Sequence, residues 1–147
     1  MRFQHIFSDE ELEGIISFKA ATFSSSYMEN LGLGKFNLTP LPLDTQLSPI
    51  YSIKSGDYNG DGNIDILLGG NFTKSRVKFG HYDAIRGVFL AGDGKGNFIP
   101  INVNESGIMI SGEIRDIKHI KTVTDSDYLI FSRNNESPEL IKYKKIK

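Results

Sequence analysis

The pattern of hydrophobic and polar positions predicts one short helix followed by a series of β-strands. Ser8 is followed three residues later by Glu11, a capping box that precedes an apolar stripe of imperfect helical spacing. A helix is therefore predicted over residues 9–17. From residue 23 onward, short apolar and aromatic runs alternate with turns rich in Gly, Asn and Pro, as is typical of strands. The predicted strands are residues 23–29, 36–41, 50–54, 64–68, 87–90, 97–101, 113–120, 128–132 and 139–143.

An internal repeat groups these strands. Gly32-Leu-Gly-Lys-Phe36 recurs as Gly94-Lys-Gly-Asn-Phe98, each time between two predicted strands. Each copy is followed by a polar or proline-containing link, a strand that ends at Gly56-Asp57 or Arg115-Asp116, and a short apolar strand. Units of four strands in series are the sequence form of β-propeller blades. The predicted fold is all-β with one short N-terminal helix, a partial β-propeller of about two four-stranded blades.

The repeat also predicts how the chain is divided. We expect residues 1–20 to form an N-terminal capping segment and residues 21–147 to form the propeller-like repeats. Blade one is expected over about residues 21–86 and blade two over about residues 87–147. A complete propeller needs at least four blades, so a chain with two is a fragment or assembles in another way. An open array would expose sheet edges, one of which the N-terminal helix is a candidate to cover.

Composition and charge narrow the classes of function. The chain has 147 residues, enough for one modest core, and its net charge of −1 provides no basic field for nucleic acid. It has no cysteine, which excludes a disulfide scaffold, a zinc–thiolate site and a cysteine nucleophile. No apolar run approaches the ~20 residues of a membrane span. Residues 1–8 lack an apolar signal-peptide region, so any export signal is expected on a longer parent chain.

One segment, Asp57-Tyr-Asn-Gly-Asp-Gly-Asn-Ile-Asp65, carries candidate metal chemistry. Calcium takes six to eight oxygen ligands, and a chain that wraps a cation presents alternate residues inward. The segment contains no Lys or Arg, so a bound calcium ion is the simplest way to balance its three carboxylates. Position 7 would contribute its backbone carbonyl. The expected side-chain ligands at positions 1, 3, 5 and 9 are Asp57, Asn59, Asp61 and Asp65, and the carbonyl ligand is Asn63.

Two alternatives compete with a calcium loop between strands. An EF-hand requires a bidentate Glu at position 12 and helical flanks, whereas position 12 is Leu68 and the flanks are strand-like; a dockerin is disfavoured for the same reason. An Asx-rich turn without a metal is the other alternative, and it stays open. The second repeat has no alternating acids after Asp116, so one metal site is expected. Asp93 is expected to be a turn residue.

These motifs resemble the FG-GAP/VCBS repeats of integrin-α-like propellers and of bacterial surface proteins, in particular the C-terminal part of a Bacteroidetes-type VCBS-repeat protein. The resemblance rests on the segment 57–65, on Asn30-x-Gly-x-Gly-x-Phe36 with its repeat at Gly94-x-Gly-x-Phe98, and on Ile66-Leu-Leu-Gly-Gly70. It covers about residues 23–143. It implies a β-propeller, calcium held by the loop residues named above, and an extracellular or cell-surface location. The remaining propeller blades or other copies of the chain would be its partners.

The favoured function is a calcium-stabilised, non-enzymatic module for extracellular binding or adhesion, with a protein or carbohydrate ligand. The alternative is an accessory or structural module of a larger multidomain protein, possibly attached to an enzyme. One further polar cluster is a candidate ligand-binding surface, but its position in a long polar connection favours a solvated connector. It comprises Arg76, Lys78, His81, Tyr82, Asp83 and Arg86.

Overall fold

The computed structural model describes residues 6–16, 18–75, 78 and 80–144, in which nine strands form three antiparallel sheets. Each strand overlaps one of the predicted runs, so the mostly β architecture was predicted correctly. The two-stranded sheet comprises β1 (Ser26–Gly32) and β2 (Lys35–Pro40). The four-stranded sheet comprises, in spatial order, β3 (Ile50–Gly56), β4 (Asp65–Gly70), β5 (Val88–Gly92) and β6 (Phe98–Ile101). The three-stranded sheet comprises β7 (Ile114–Ile120), β8 (Ser126–Arg133) and β9 (Glu139–Lys144).

Helical structure is shorter than predicted. The capping box forms, since the Ser8 hydroxyl accepts a hydrogen bond from the Glu11 N–H and the Glu11 carboxylate accepts one from the Ser8 N–H. However, α1 (Asp9–Leu12) ends well before residue 17. Gly14 adopts a positive φ of 78°, which breaks the helix, and the apolar residues after it are largely exposed and offer no packing to extend it. Further short helical pieces of the described residues include a 3₁₀ turn, Leu43–Thr45, and the unpredicted α2 (Val103–Ser106).

The internal repeat is present in the strand pairing. The hairpins β1–β2 and β5–β6 have the same register, because the pairs Met28↔Leu38 and Leu90↔Pro100 occupy corresponding positions of the repeat. The hairpins β3–β4 and β7–β8 also correspond, and both carry a register shift near the start of their first strand. The two-stranded sheet therefore matches the last two strands of the four-stranded sheet, and the three-stranded sheet matches its first three.

The strands are divided among the sheets at different points of the chain from those predicted for the two blades. The predicted blade boundary at residues 86 and 87 falls inside the four-stranded sheet, where β4 and β5 are directly paired. The sequence repeat was anchored on the Gly-x-Gly-x-Phe hairpin, which marks the end of a four-stranded unit and not its beginning. No closed barrel or propeller is formed by the described residues.

The hydrophobic core lies between the four-stranded and three-stranded sheets. β3 and β4 of the first sheet meet β7 of the second, and the segment before β7 fills the space beside them. Gly69 on β4 is required here, because a Cβ atom at this position would overlap the side chain of Ile114 on β7. The buried residues of the cluster between the two sheets are Leu67, Ile108, Ile110, Ile114, Ile117, Leu129 and Phe131.

A polar network joins the same two sheets at one end of the core. The Glu113 carboxylate accepts hydrogen bonds from the N–H and hydroxyl of Thr73 at 2.6 and 2.7 Å and from Asn134 Nδ2 at 2.7 Å. It also forms a 2.6 Å ion pair with Arg115. These contacts, led by the Asn134 hydrogen bond, lower the pKa of Glu113 to about 2. Glu113 thus ties the segment after β4 to β7 and to the end of β8.

Candidate metal centre

The segment 57–65, called here the Asp/Asn loop, connects β3 to β4 at the edge of the four-stranded sheet. The pair Gly56↔Asp65 closes the hairpin at its base. Leu68, which would be the twelfth position of an EF-hand, is buried within β4. The loop is therefore flanked by strands and is not a helix–loop–helix site.

The loop folds around its own polar side chains. Six consecutive backbone N–H groups, from residue 58 to residue 63, donate hydrogen bonds to Asp or Asn side chains of the same loop. Asp57 accepts from residues 60 and 62 at 2.6 and 3.0 Å, Asn59 from residue 61 at 2.9 Å, and Asp61 from residue 63 at 2.7 Å. This is a succession of Asx turns, which curls the chain so that alternate side chains lie along the inner side of the bend.

Asp65 has a role that its position in the sequence did not predict. Its side chain is fully buried, and Oδ2 accepts hydrogen bonds from the backbone N–H groups of Tyr58 and Asn59 at 2.9 and 3.2 Å. Oδ1 accepts from the Gly92 N–H at 3.1 Å. Asp65 therefore fastens the start of the loop to the end of β5. With Oδ2 already accepting two bonds, only Oδ1 retains an acceptor position for a cation.

The charge of the loop is compensated only by dipoles within the described part of the chain. None of the carboxylates of Asp57, Asp61 and Asp65 forms an ion pair with a described basic residue. The backbone N–H of Asn63 is the main cause that lowers the pKa of Asp61, so this carboxylate is held in its charged form. Asn59 Nδ2 also donates to Asp61 Oδ2 at 3.1 Å, which places these two candidate ligands in contact.

The donor set fits calcium in part. The side chains of Asp57, Asn59 and Asp61 supply hard oxygens at alternate positions of one tight bend, as calcium requires. No group of three or more His, Asp or Glu side chains is close enough to hold a metal ion among the described residues. A cation would consequently depend on the Asn59 amide and on backbone carbonyls, such as that of Asn63, in addition to the carboxylates.

The corresponding loop of the three-stranded sheet, residues 121–127, is called here the counterpart loop. Thr122 N–H donates to Asp127 Oδ1 at 2.8 Å, as Tyr58 N–H donates to Asp65. In place of the alternating acids, the hydroxyls of Thr122 and Thr124 bond to each other at 2.7 Å and to the carbonyl of Ser126. Aligning Asp57 with Asp116 was wrong, because Asp116 lies inside β7, opposite Ser132.

Tyr58 links the Asp/Asn loop to the neighbouring sheet. Its ring makes edge contacts with Phe89, His119 and Tyr143, at centroid distances of 6.4, 6.3 and 6.0 Å. Burial is the main cause that raises the pKa of Tyr58 to about 12. Sequence reasoning missed this cluster, because its members come from four separate elements and have no common spacing.

His119 is the best-connected ionisable side chain in that cluster. Its Nε2 lies 2.9 Å from Asp127 Oδ2 and 2.7 Å from the Tyr143 hydroxyl. Both contacts use the same ring nitrogen, so the three groups do not form a relay in which the histidine passes a proton from one neighbour to the other. The adjoining cavity measures only about 70 Å³.

The remaining candidates have simpler roles. Asp93 is a turn residue, as predicted, because its carboxylate accepts from the Lys95 and Asn97 N–H groups at 2.7 and 3.1 Å. In the polar cluster of the long connection, Lys78, His81, Asp83 and Arg86 are exposed. Tyr82 is also exposed and forms an isolated bridge with Phe72. Arg76 lies outside the described residues.

Two adjoining grooves of about 210 and 230 Å³ separate the two-stranded sheet from the β5–β6 hairpin. Both are lined by Tyr27 and Phe98, whose rings meet edge to face at 5.5 Å. No charged residue lines either groove. The second groove reaches Ile64 and Gly94, and Gly94 lies so near the Asn63 side chain that a Cβ atom at this position would overlap it. The grooves therefore adjoin the Asp/Asn loop.

Comparisons with models of known protein families, with curated proteins and with solved structures found no match to this chain. No described helix has the length and apolar character needed to cross a membrane.

Proposed function

We propose that this chain is a calcium-stabilised, propeller-type repeat module that acts in extracellular or cell-surface binding or adhesion and is not itself an enzyme. The observation that carries the proposal is the Asp/Asn loop, in which side-chain oxygens of residues 57, 59 and 61 are gathered in one bend with no described basic partner. Asp57, Asn59 and Asp61 would hold the ion, Asp65 would contribute through Oδ1, and Asn63 through its carbonyl.

The role of the ion would be mechanical. Calcium would neutralise the loop's carboxylates and fix its curvature, and it supplies no redox or acid–base chemistry. Two residues connect the loop to the rest of the fold. Asp65 accepts a hydrogen bond from the end of β5, and Tyr58 packs against the three-stranded sheet. The loop would therefore brace the junction of two sheets.

The order in which partial and complete sheets follow one another along the chain supports a propeller-type arrangement. A complete four-stranded sheet lies between a sheet that matches its last two strands and one that matches its first three. Sheets repeated in this order, each packed face to face on the next, are how propeller blades follow one another. Further blades would then be the partners of the two outer sheets.

A binding role is supported by the uncharged aromatic grooves beside the loop. Tyr27 and Phe98 line both grooves, together with glycine and proline residues and with no charged side chain. Such a surface suits a neutral ligand, a carbohydrate or an uncharged peptide segment, better than a phosphate or a nucleic acid.

Thermal unfolding with and without calcium tests the proposal. Calcium that binds only the folded chain stabilises it by mass action, by about 2.7 kcal/mol at a hundred times the dissociation constant. For a chain of this length the melting temperature should rise by about 5–10 °C. A chelator should reverse the rise and Asp61→Ala should abolish it, whereas Thr124→Ala in the counterpart loop should leave it intact. An unchanged melting temperature in millimolar calcium would remove the metal assignment.

A further inference from the structure

The two-stranded sheet lacks a neighbour that its repeat counterpart has. β5 is paired with β6 on one side and with β4 on the other. Within the described residues, its counterpart β1 is paired with β2 alone. The difference is visible in one pair of corresponding residues, since Leu90 on β5 is fully buried whereas Met28 on β1 is 59% exposed. β1 is therefore an edge strand whose counterpart, β5, has neighbouring strands on both sides.

The exposed face of this hairpin is apolar. Met28 and Leu38 are cross-strand partners, and Phe36 lies on the same face two positions from Leu38. All three are at least half exposed. An apolar face beside an unpaired strand is a site for strand addition.

The repeat specifies the register that an added strand would take. β4 runs antiparallel to β5 and places Ile66, Leu67 and Leu68 opposite residues 90, 89 and 88. The corresponding residues on β1 are 28, 27 and 26. Asp65, at the start of β4, accepts a hydrogen bond from the Gly92 N–H, and the residue that corresponds to Gly92 is Asn30.

We propose that the open edge of β1 binds a β-hairpin of a further repeat unit, of the same kind as β3–β4. Its second strand would run antiparallel to residues 26–28, place the residue that corresponds to Ile66 beside Met28 on the same face, and begin with an aspartate that accepts from the Asn30 N–H. This inference rests on the proposed function as a repeat module and names the partner of its first sheet.

A second copy of this chain cannot supply that hairpin without losing its own structure. The two strands of the required kind, β4 and β8, each already lie between two neighbours. The hairpin must therefore come from a repeat unit other than those described here. Pairing of β1 with the β1 of a second copy is the competing arrangement.

An extended chain tests the inference. A second copy of residues 46–72, which contains the β3–β4 hairpin, is fused ahead of residue 1. Residues 1–25 then connect the added hairpin to β1, as the long connection joins β4 to β5 in the four-stranded sheet. Docking should slow hydrogen exchange of the amides of residues 26–30 by about tenfold or more relative to the unextended chain. The matched control carries Leu67→Pro in the added copy only, which prevents strand pairing without touching the original fold. Its exchange should equal that of the unextended chain.

The outcomes are separable. Equal exchange in the extended chain and its proline control overturns the inference, as does a dimer of the unextended chain in which residues 26–30 are already protected. The calcium response of the unextended chain is measured independently. Protection of residues 26–30 without a calcium response would support hairpin binding at β1 and contradict the calcium site. A calcium response without protection would support the calcium site and contradict hairpin binding.

Discussion

The Asp/Asn loop and the counterpart loop make the same connection with different chemistry. Both join the first two strands of a sheet, and in both a buried aspartate, Asp65 or Asp127, accepts a hydrogen bond from a backbone N–H near the start of the loop. The Asp/Asn loop gathers carboxylates along its bend, whereas the counterpart loop is closed by the hydroxyls of Thr122 and Thr124. The counterpart loop thus closes without alternating acids, whereas the acids of the Asp/Asn loop accept hydrogen bonds from its own backbone N–H groups and are also the ligands of the proposed calcium site.

Removing the buried aspartates is the strongest way to break the comparison. Asp65→Ala leaves three backbone N–H groups without acceptors and should reduce the free energy of unfolding by about 3–5 kcal/mol. Asp127→Ala should cost about 2–3 kcal/mol, because the contacts with the Thr122 N–H and His119 are lost. Chemical denaturation in the presence of chelator measures both. A loss below ~1 kcal/mol for Asp65→Ala would show that this residue does not act as a clamp.

Exchanging the loops tests whether the acids, and not the turn, carry the calcium response. A chain in which residues 57–65 are replaced by residues 121–127 keeps a buried aspartate at the end of the loop and should fold. It should lose the calcium-dependent stabilisation, about 2.7 kcal/mol at a hundred times the dissociation constant. Differential scanning calorimetry with calcium and with chelator is the measurement. A calcium response that survives the exchange would place the metal elsewhere.

The sequence predicted the strands and the candidate ligands because both are local. Each strand is a short apolar run bounded by turn residues, and Asp57, Asn59 and Asp61 show their spacing directly. Which strands belong to the same sheet was not predictable in the same way, because it depends on whether β4 pairs with β5 across a long connection. The clamp role of Asp65 depends on Gly92, which is distant in sequence and becomes a neighbour only in the folded sheet.

The contrast between the Tyr58 cluster and α1 teaches the same lesson. The capping box predicted where α1 begins, but its end depended on packing that the following apolar residues do not find. Tyr58, His119 and Tyr143 meet only because the four-stranded and three-stranded sheets pack together, so no sequence spacing could reveal them.

The pH dependence of stability tests the Glu113 network, which lies outside the Asp/Asn loop. The pKa of Glu113 is lowered from 4.5 to about 2 in the folded chain, so its contribution is complete above pH 4.5 and is lost as the pH falls toward 2. Stability in chelator should decline over this range, and Glu113→Gln should flatten the decline. Urea unfolding at several pH values measures it. An unchanged slope in Glu113→Gln would mean that the network at the core's end is not the acid-sensitive element.

A small change within the loop sharpens the comparison further. Asn59→Asp adds a fourth carboxylate, which should raise calcium affinity by about 3- to 10-fold and slightly destabilise the calcium-free chain by repulsion. The matched change in the counterpart loop, Thr124→Asp, should not alter the calcium affinity. Calcium titrations of both variants distinguish them. Equal affinities for Asn59→Asp and the parent chain would indicate that residue 59 does not face the ion.

Isothermal titration of calcium into the chelator-treated chain tests the central claim most directly. One binding event per chain is predicted, abolished by Asp57→Ala and by Asp61→Ala and preserved in Thr124→Ala, because only the Asp/Asn loop carries alternating acids. The absence of binding heat at millimolar calcium, or binding that persists in both aspartate variants, would contradict the assignment of this loop as a calcium site.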